Sequence, residues 1–468
     1  MGRPSVPLSA DMPPLVMGTA TFNSQYNADP YALPTTELVH RALSSGVRAF
    51  DTSPYYGPAE ELLGRALATD FVRSDFPRHT YRLLTKVGRI AASSFDYSPR
   101  WIRHSVQRSL RRLHTEYLDV VYCHDVEFVS PEEVLEAVRE LRRIRDTEGT
   151  VRYVGISGYP VDVLCDLAEL VLRETGEPLD IVQSYANFTL QNTRLLTQAL
   201  PRLIAAGVDV VPNASVLGMG ILRRGGVPIG SMGDFHPAPD GLRRAARSAS
   251  EWADAQGEKL EVIAIRFALE SWLHDGAKAG ALGPPLARSP GVDPGFLSVA
   301  HVGTGERLGV SVMGVSNVDE LNETLRVWRS IIDGLENQDD DEEEPQAAAV
   351  PTAQHAPAIL TPSEGVITDR AWSKARRSRI LTLAQGVQSI LGPDWVDYSW
   401  PSPGTDFVNV LPAEHLAALE ELESKAAGTQ RDTETDTGKI DEPIVTPPLE
   451  ATDRQVAMDT APSSVVYD

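Results

Sequence analysis

The segment Asp51-Thr-Ser-Pro-Tyr-Tyr-Gly57 ends an apolar, strand-like run from Val47 to Phe50 with a carboxylate and sets a phenol, Tyr56, five residues later. A carboxylate and a phenol so placed invite acid/base chemistry, in which a proton moves to or from a reacting group. Two later segments end in a comparable way. Lys86 closes Tyr-Arg-Leu-Leu-Thr-Lys and His124 closes Leu-Asp-Val-Val-Tyr-Cys-His. Three consecutive strand-like segments therefore terminate in an ionisable side chain, and strand ends on one rim are where a barrel enzyme keeps its chemistry.

The elements that must position these residues alternate along the chain. Apolar strand-like segments fall at Leu15 to Thr21, Val47 to Thr52, Tyr81 to Val87, Leu118 to His124, Val151 to Ser157, Leu179 to Ser184, Val208 to Asn213 and Val310 to Val315. Between them, segments such as Glu60 to Ala68, Pro99 to Leu113, Pro131 to Thr147 and Asp162 to Thr175 carry the 3.6-residue period of amphipathic helices. Strict alternation predicts a parallel sheet covered by helices. Eight units, with no G-x-G-x-x-G after the first strand, predict an α/β fold of the (β/α)8 TIM-barrel type rather than an open doubly wound sheet. Alternation within a strand predicts that Lys86 shares the inner face with Leu84, His124 with Tyr122 and Val120, and Asp51 with Ala49 and Val47, while Cys123 points outward.

Composition narrows the function classes. The 468 residues carry a formal charge of -22, which argues against nucleic acid or an anionic membrane as partner. Much of that acid is local, in the unbroken run Asp339 to Glu344 and in the tail after Gly404. The two cysteines, Cys123 and Cys165, lack metal-ligand or redox spacing and read as buried small hydrophobes in a reducing compartment; no metal is expected. Without a leader-like or membrane-spanning run, the expectation is a soluble, cytoplasmic protein, a monomer or weak homo-oligomer.

Taken together these residues resemble the aldo-keto reductase family, from about Leu15 to Leu335 and again near Ile380 to Pro403. The supporting pieces are the run from Ser109 to Val120, Gly155-Ile-Ser157, Gln183 and Gly314-Val-Ser-Asn317. The resemblance implies a catalytic tetrad of Asp51, Tyr56, Lys86 and His124. Tyr56 would exchange a proton with the substrate oxygen, Lys86 would lower its pKa, Asp51 would hold Lys86, and His124 would orient the substrate. It implies a nicotinamide cofactor at the C-terminal rim. Gly18 and Thr19 would approach it, together with Asp51; Ser157 and Gln183 would hold its carboxamide; Ser215, Leu217 and Gly220 would follow the pyrophosphate; and Gly314, Ser316, Asn317, Glu320 and Glu323 would reach the adenosine half. Tyr55 is expected as packing or substrate wall.

Three departures from the family pattern stand out. Gly158 replaces a common Asn, Ala214 replaces a Tyr that often stacks on the nicotinamide, and Gly314 and Glu320 stand where NADP-preferring relatives have Lys and Arg. A carboxylate at 320 would repel a 2′-phosphate, so NAD is expected, with NADP as the alternative; otherwise Glu320 is a first-turn residue favourable to its helix dipole.

Phe50-Asp-Thr-Ser-Pro-Tyr-Tyr-Gly-Pro58, Cys123-His-Asp-Val-Glu127, Gly155-Ile-Ser-Gly-Tyr-Pro160, Gln183-Ser-Tyr-Ala-Asn-Phe188 and Asn213-Ala-Ser-Val-Leu-Gly-Met-Gly220 resemble the sugar-dehydrogenase branch of that family. That implies an oxidoreductase taking an aldose, D-arabinose foremost, at C1 to the aldonolactone with NAD. The alternatives are an NADPH-dependent aldehyde or ketone reductase and a cofactor-binding regulatory subunit. The partner is accordingly a small-molecule sugar or aldehyde.

The expected organisation is a barrel over residues 1–337, an acidic, Ala/Pro-rich disordered insertion over 338–370, the barrel's final helix and substrate-facing loop over 371–404, and a mostly disordered tail over 405–468. Trp400 would either close the substrate pocket or cover the barrel's side. The Gly- and Pro-rich stretch Gly276 to Gly309 reads as a mobile loop.

Overall fold

The alternating segments close on themselves: in a computed structural model of the chain, the described residues form a closed barrel of eight parallel strands. The structure describes residues 4–227, 233, 235–280, 308–333 and 370–419, with side chains in the long helix Arg370–Leu391 from residue 374. The barrel strands are β1 (Leu15–Gly18), β2 (Ala49–Asp51), β3 (Arg82–Val87), β4 (Leu118–His124), β5 (Val151–Gly158), β6 (Ile181–Tyr185), β7 (Asn213–Ala214) and β8 (Ser311–Gly314). Their order follows the chain, and β8 closes against β1 from Leu15 opposite Ser311 to Gly18 opposite Gly314.

Register brings the strand ends together. Gly18 lies opposite Asp51, Asp51 opposite Leu84, Lys86 opposite Tyr122, His124 opposite Ser157, and Ser157 opposite Gln183. Val16, Ala49, Leu84, Val120, Tyr122, Tyr153, Ile181, Val210, Ala214, Val310 and Val312 fill the barrel, joined by Leu8 and Met12 from the segment before β1. Each Val, Leu, Ile and Met among them contributes about 1.5–3 kcal/mol through burial. Cys123 faces the outer cluster, as alternation predicts, and both cysteines are buried and unpaired. Val47 also lies in the outer cluster rather than inside. The strand begins only at Ala49, so the period-2 pattern cannot be extended back to Val47.

The helices begin where their caps require. Ser130 and Glu133 form a capping box at the start of Pro131–Thr147, and Ser98 accepts from Trp101 N at the start of Pro99–Arg112. Helix Ala59–Leu67 packs so closely on the end of Pro99–Arg112 that a Cβ at Gly64 would overlap the Arg112 carbonyl. Besides β2, two strands differ most from expectation. β7 is confined to Asn213–Ala214, with Val210 making a single bridge to Ile181, and β1 stops at Gly18 because the chain turns there into the rim loop that Thr21 ties to Val315 O.

After β8 come helix Val318–Asp333 and the long helix Arg370–Leu391. Ile380, Leu383, Ala384, Val387 and Leu391 of that helix pack in one cluster with Leu242, Ala246, Ala249 and Ala253 of helix Asp240–Ala255. The chain then returns across the rim. Val410 N donates to Ser93 O (3.0 Å), Ser94 Oγ to Val410 O (2.6 Å), and Phe95 N to Asn409 Oδ1 (2.8 Å). Phe407 meets Phe95 and Phe128. The boundary expected after Gly404 thus falls inside a docked segment, and the first compact unit runs to Pro412. Residues 413–419, in a second unit, are helical. Most of the expected insertion (338–369), residues 281–307 of the expected mobile loop, and the tail from 420 lie outside the described residues. No helix of the described residues is long and apolar enough to cross a membrane.

Candidate active site

The ends of β2, β3 and β4 bring four ionisable groups together. Lys86 Nζ donates to Asp51 Oδ1 at 2.5 Å and to Thr52 O at 2.9 Å, and both side chains are nearly inaccessible. The ammonium lies 4.9 Å from the centroid of the Tyr56 ring, which the turn Ser53 to Gly57 lifts over the barrel mouth. The Tyr56 and His124 rings meet edge to face at 5.7 Å, and Tyr55 contacts the same imidazole at 5.9 Å.

Charge balance corrects one expectation. Tyr56 is not held low by Lys86. Burial raises its phenol well above the ordinary value, and Asp51 and Asp125 raise it further against the pull of Arg89. The reason is geometric, since the Lys86 charge is spent on the Asp51 carboxylate at 2.5 Å. Burial likewise pushes Asp51 up, against the opposing pull of Lys86. His124 is lowered to about 3 by burial, with Lys86 and Arg89 lowering it against Asp125, so its ring is neutral at neutral pH. Ser53 Oγ lies 3.1 Å from His124 Nδ1 and accepts from Tyr55 N. With the Ser53 proton given to Nδ1, the neutral ring carries its own proton on Nε2.

Sequence reasoning assigned no role to several residues at this rim. Arg89 pairs with Asp125, donates to Tyr55 OH at 3.1 Å and lies 3.9 Å over the Tyr55 ring. Burial favours a neutral Asp125, but the charge that His124 takes up only at low pH, together with the Arg89 guanidinium, outweighs it and holds the carboxyl below its usual range. Glu127, Tyr185 and His236 are also at the rim or tied to its loops. The available signal was position, because Arg89, Asp125 and Glu127 each follow a strand-ending tetrad residue by three residues or fewer.

Of the residues expected at the cofactor, Thr19 is buried and donates to Asp51 O through both N (2.8 Å) and Oγ1 (3.1 Å). Ser157 Oγ donates to Cys123 O. Gln183 Oε1 is buried without a hydrogen-bond partner, as is Asp51 Oδ2. Such an orphaned acceptor at a strand end suits an amide N–H of a ligand. The loop carrying Ser215, Leu217 and Gly220 turns through positive φ at Ser215 (54°) and Gly220 (103°). Buried His236 donates through Nε2 to Gly218 O at 2.8 Å and accepts Ala238 N at Nδ1, which fastens that loop. Gly314 ends β8 and is exposed; Glu323 lies one turn beyond Glu320 on the following helix.

Glu320 is not a free carboxylate. One oxygen accepts from Ser316 N (2.8 Å), its own N–H is capped by Asn317 Oδ1 (2.9 Å), and its other oxygen lies 3.6 Å from Arg223. Trp400 is buried, stacked on Tyr159 at 4.7 Å and edge-on to His236 at 5.4 Å. It reaches the rim through those neighbours. A side chain at Gly158 would collide with the Glu127 carboxyl, and Ala214 belongs to the barrel interior opposite Tyr185.

Comparison with known proteins agrees with this architecture. The sequence pattern described as "Aldo/keto reductase family" matches residues 14–336. D-arabinose 1-dehydrogenase of Saccharomyces cerevisiae is 44% identical over 269 residues, 57% of this chain and 78% of that protein. L-galactose dehydrogenase of Arabidopsis thaliana is 35% identical over 232 residues, 49% of this chain and 68% of that protein. D-threo-aldose 1-dehydrogenase of a Pseudomonas species is 28% identical over 181 residues, 38% of this chain and 52% of that protein.

Proposed function

The chain belongs to the aldo/keto reductase family and is an oxidoreductase, and from that premise we propose that it oxidises an aldose, D-arabinose foremost, at C1 to the aldonolactone, with NAD as hydride acceptor. A bound nicotinamide supplies the hydride-accepting carbon. Thr19, Ser157 and Gln183 would hold it at the rim, the orphaned Gln183 oxygen taking a carboxamide N–H. The chain's own part is to place the sugar's O1 against Tyr56 Oη and His124 Nε2. As the C1–H bond breaks with its electron pair, the O1 proton passes to the Tyr56 phenolate. Neutral His124 donates to O1 and fixes its orientation. Arg89, Asp125 and Tyr55 offer charged and phenolic partners for further hydroxyls.

The observation that carries this reading is Tyr56 set between Lys86 and His124 at the strand ends. The names of the relatives at 44% and 35% identity support C1 of an aldose as the reacting position. The Glu320–Arg223 pair supports NAD, because a neutralised guanidinium offers no surplus positive charge to a 2′-phosphate. The test is lactone formation from D-arabinose, L-galactose, L-fucose and D-xylose with NAD or NADP, using Tyr56→Phe as control. Lactone from no aldose with either cofactor would sink the proposal.

A second reading, NADPH-dependent aldehyde or ketone reduction, is favoured by the protonated state of Tyr56, which is then a ready proton donor. Preferred direction and cofactor in the same assay separate the two.

A further inference from the structure

We infer that Glu127 is a positioning residue that fastens residues 399–403 across the barrel mouth through Ser402, and so holds Trp400 as a wall of the substrate pocket. Glu127 lies in the turn Val126–Phe128, three residues after His124. Its Oε1 accepts from Ser402 Oγ at 3.0 Å and from Tyr159 N at 3.1 Å. Its Oε2 is buried, without a hydrogen-bond partner, in the space that any side chain at position 158 would need. The glycine there is what admits the carboxyl.

Between Trp395 and Ser402 the returning segment is held along its length, with Thr193 donating to Asp397 Oδ1 through N and Oγ1. Gln191 Nε2 donates to the carbonyls of Trp395 (2.7 Å) and Tyr398 (2.9 Å), while Asp397 N donates back to Gln191 O. In the middle, Ser399 Oγ donates to Tyr159 OH at 3.1 Å and Trp400 stacks on the same ring. At the far end Glu127 holds Ser402. Glu127 stands on the loop that carries His124 and is the hydrogen-bonded anchor nearest Trp400 on that loop, Phe128 of the same turn meeting Phe407 further along, so it sets the distance between Trp400 and His124. The backbone N–H of Tyr159, accepted by the same oxygen, keeps the carboxyl from swinging away. A buried hydrogen bond of this kind is worth about a factor of ten in an opening equilibrium.

The tether stands on these contacts alone; that Trp400 walls an aldose rests on the function proposed above. The experiment is hydrogen exchange over residues 396–407 in the full chain, paired with kcat and KM for the aldose. Glu127→Ala, Ser402→Ala and Gly158→Ala, the last by displacing the carboxyl, should each speed exchange about tenfold. Each should raise KM severalfold, with kcat within about twofold. Glu127→Gln, which keeps an acceptor at Oε1, should restore slow exchange and low KM. Exchange unchanged in Ser402→Ala and Gly158→Ala would overturn the tether. Faster exchange with an unaltered KM would overturn the positioning role. If the wild type oxidises no aldose, the exchange measurement still decides the tether, and the aldose reading fails separately.

Discussion

Replacing Lys86 by Met removes the partner of Asp51 while filling nearly the same volume. The carboxyl is 3% exposed, and besides Lys86 only the neighbouring Gln183 side chain favours its charged form. An unpaired carboxylate cannot stay charged there, so it must take up a proton. For a carboxyl of ordinary pKa near 3.9, doing so costs about 4 kcal/mol at pH 7 and about 1.5 kcal/mol at pH 5, at 1.36 kcal/mol per unit. The first figure agrees with the roughly 3–5 kcal/mol typical of a broken buried pair. The intact pair is not itself a large stabiliser, since burial already outweighs the pull of Lys86 on Asp51. Lys86→Met should therefore lose up to about 4 kcal/mol in urea unfolding at pH 7, shrinking as pH falls, and Asp51→Asn/Lys86→Met should recover most of it. A penalty below about 1 kcal/mol, or one independent of pH, would refute the ion pair as described.

Further outcomes follow from the same charges. Aldose oxidation should accelerate as pH rises from neutral towards about 10, because a phenol held above its ordinary value supplies base only at high pH; a rate flat over that range would contradict the direction assigned to Tyr56. Glu320→Gln keeps a hydrogen-bonding first-turn residue but frees Arg223, so kcat/KM with NADP should rise roughly fivefold and return to the wild-type value in Arg223→Ala/Glu320→Gln. Glu127 is pushed up to about 8 by burial, then by Asp125, against hydrogen bonds from backbone N–H groups and Ser402. Its folded value lies above its unfolded one, so its contribution is complete below about pH 4.5 and is lost as pH rises to about 8, an effect on the order of a few kcal/mol. Glu127→Gln should flatten that slope in denaturant melts; an unchanged slope would place the titration elsewhere.

The barrel and the strand-end positions of Asp51, Lys86 and His124 were legible because both rest on local pattern. Helix Pro131–Thr147 is announced by Ser-Pro-Glu-Glu at its start, and Asp51, Lys86 and His124 stand where apolar runs stop. β7 was misplaced because Val208, Val210 and Val211 fill the barrel and outer clusters, while only Asn213 and Ala214 form the strand and Val210 adds a single bridge. The protonation of Tyr56 was hidden for another reason. The pairing of Lys86 with Asp51 was expected, but spacing does not encode how far burial and the charges of Asp51 and Asp125 outweigh it at the phenol. Glu320 was legible as a charge but not as a cap, since its partners Ser316 N and Arg223 come from different loops. Glu127 escaped notice because its partner Ser402 lies 275 residues away and its room is made by an absent side chain at Gly158.

The most direct test of the proposed chemistry is the initial rate of NADH formation from D-arabinose carrying deuterium at C1, beside unlabelled sugar and the Tyr56→Phe variant. Hydride transfer from C1 with Tyr56 as proton acceptor predicts deuterium in the NADH formed, lactone in equal amount, and loss of turnover in the variant. Unlabelled NADH, or turnover in Tyr56→Phe equal to the wild type, would contradict it.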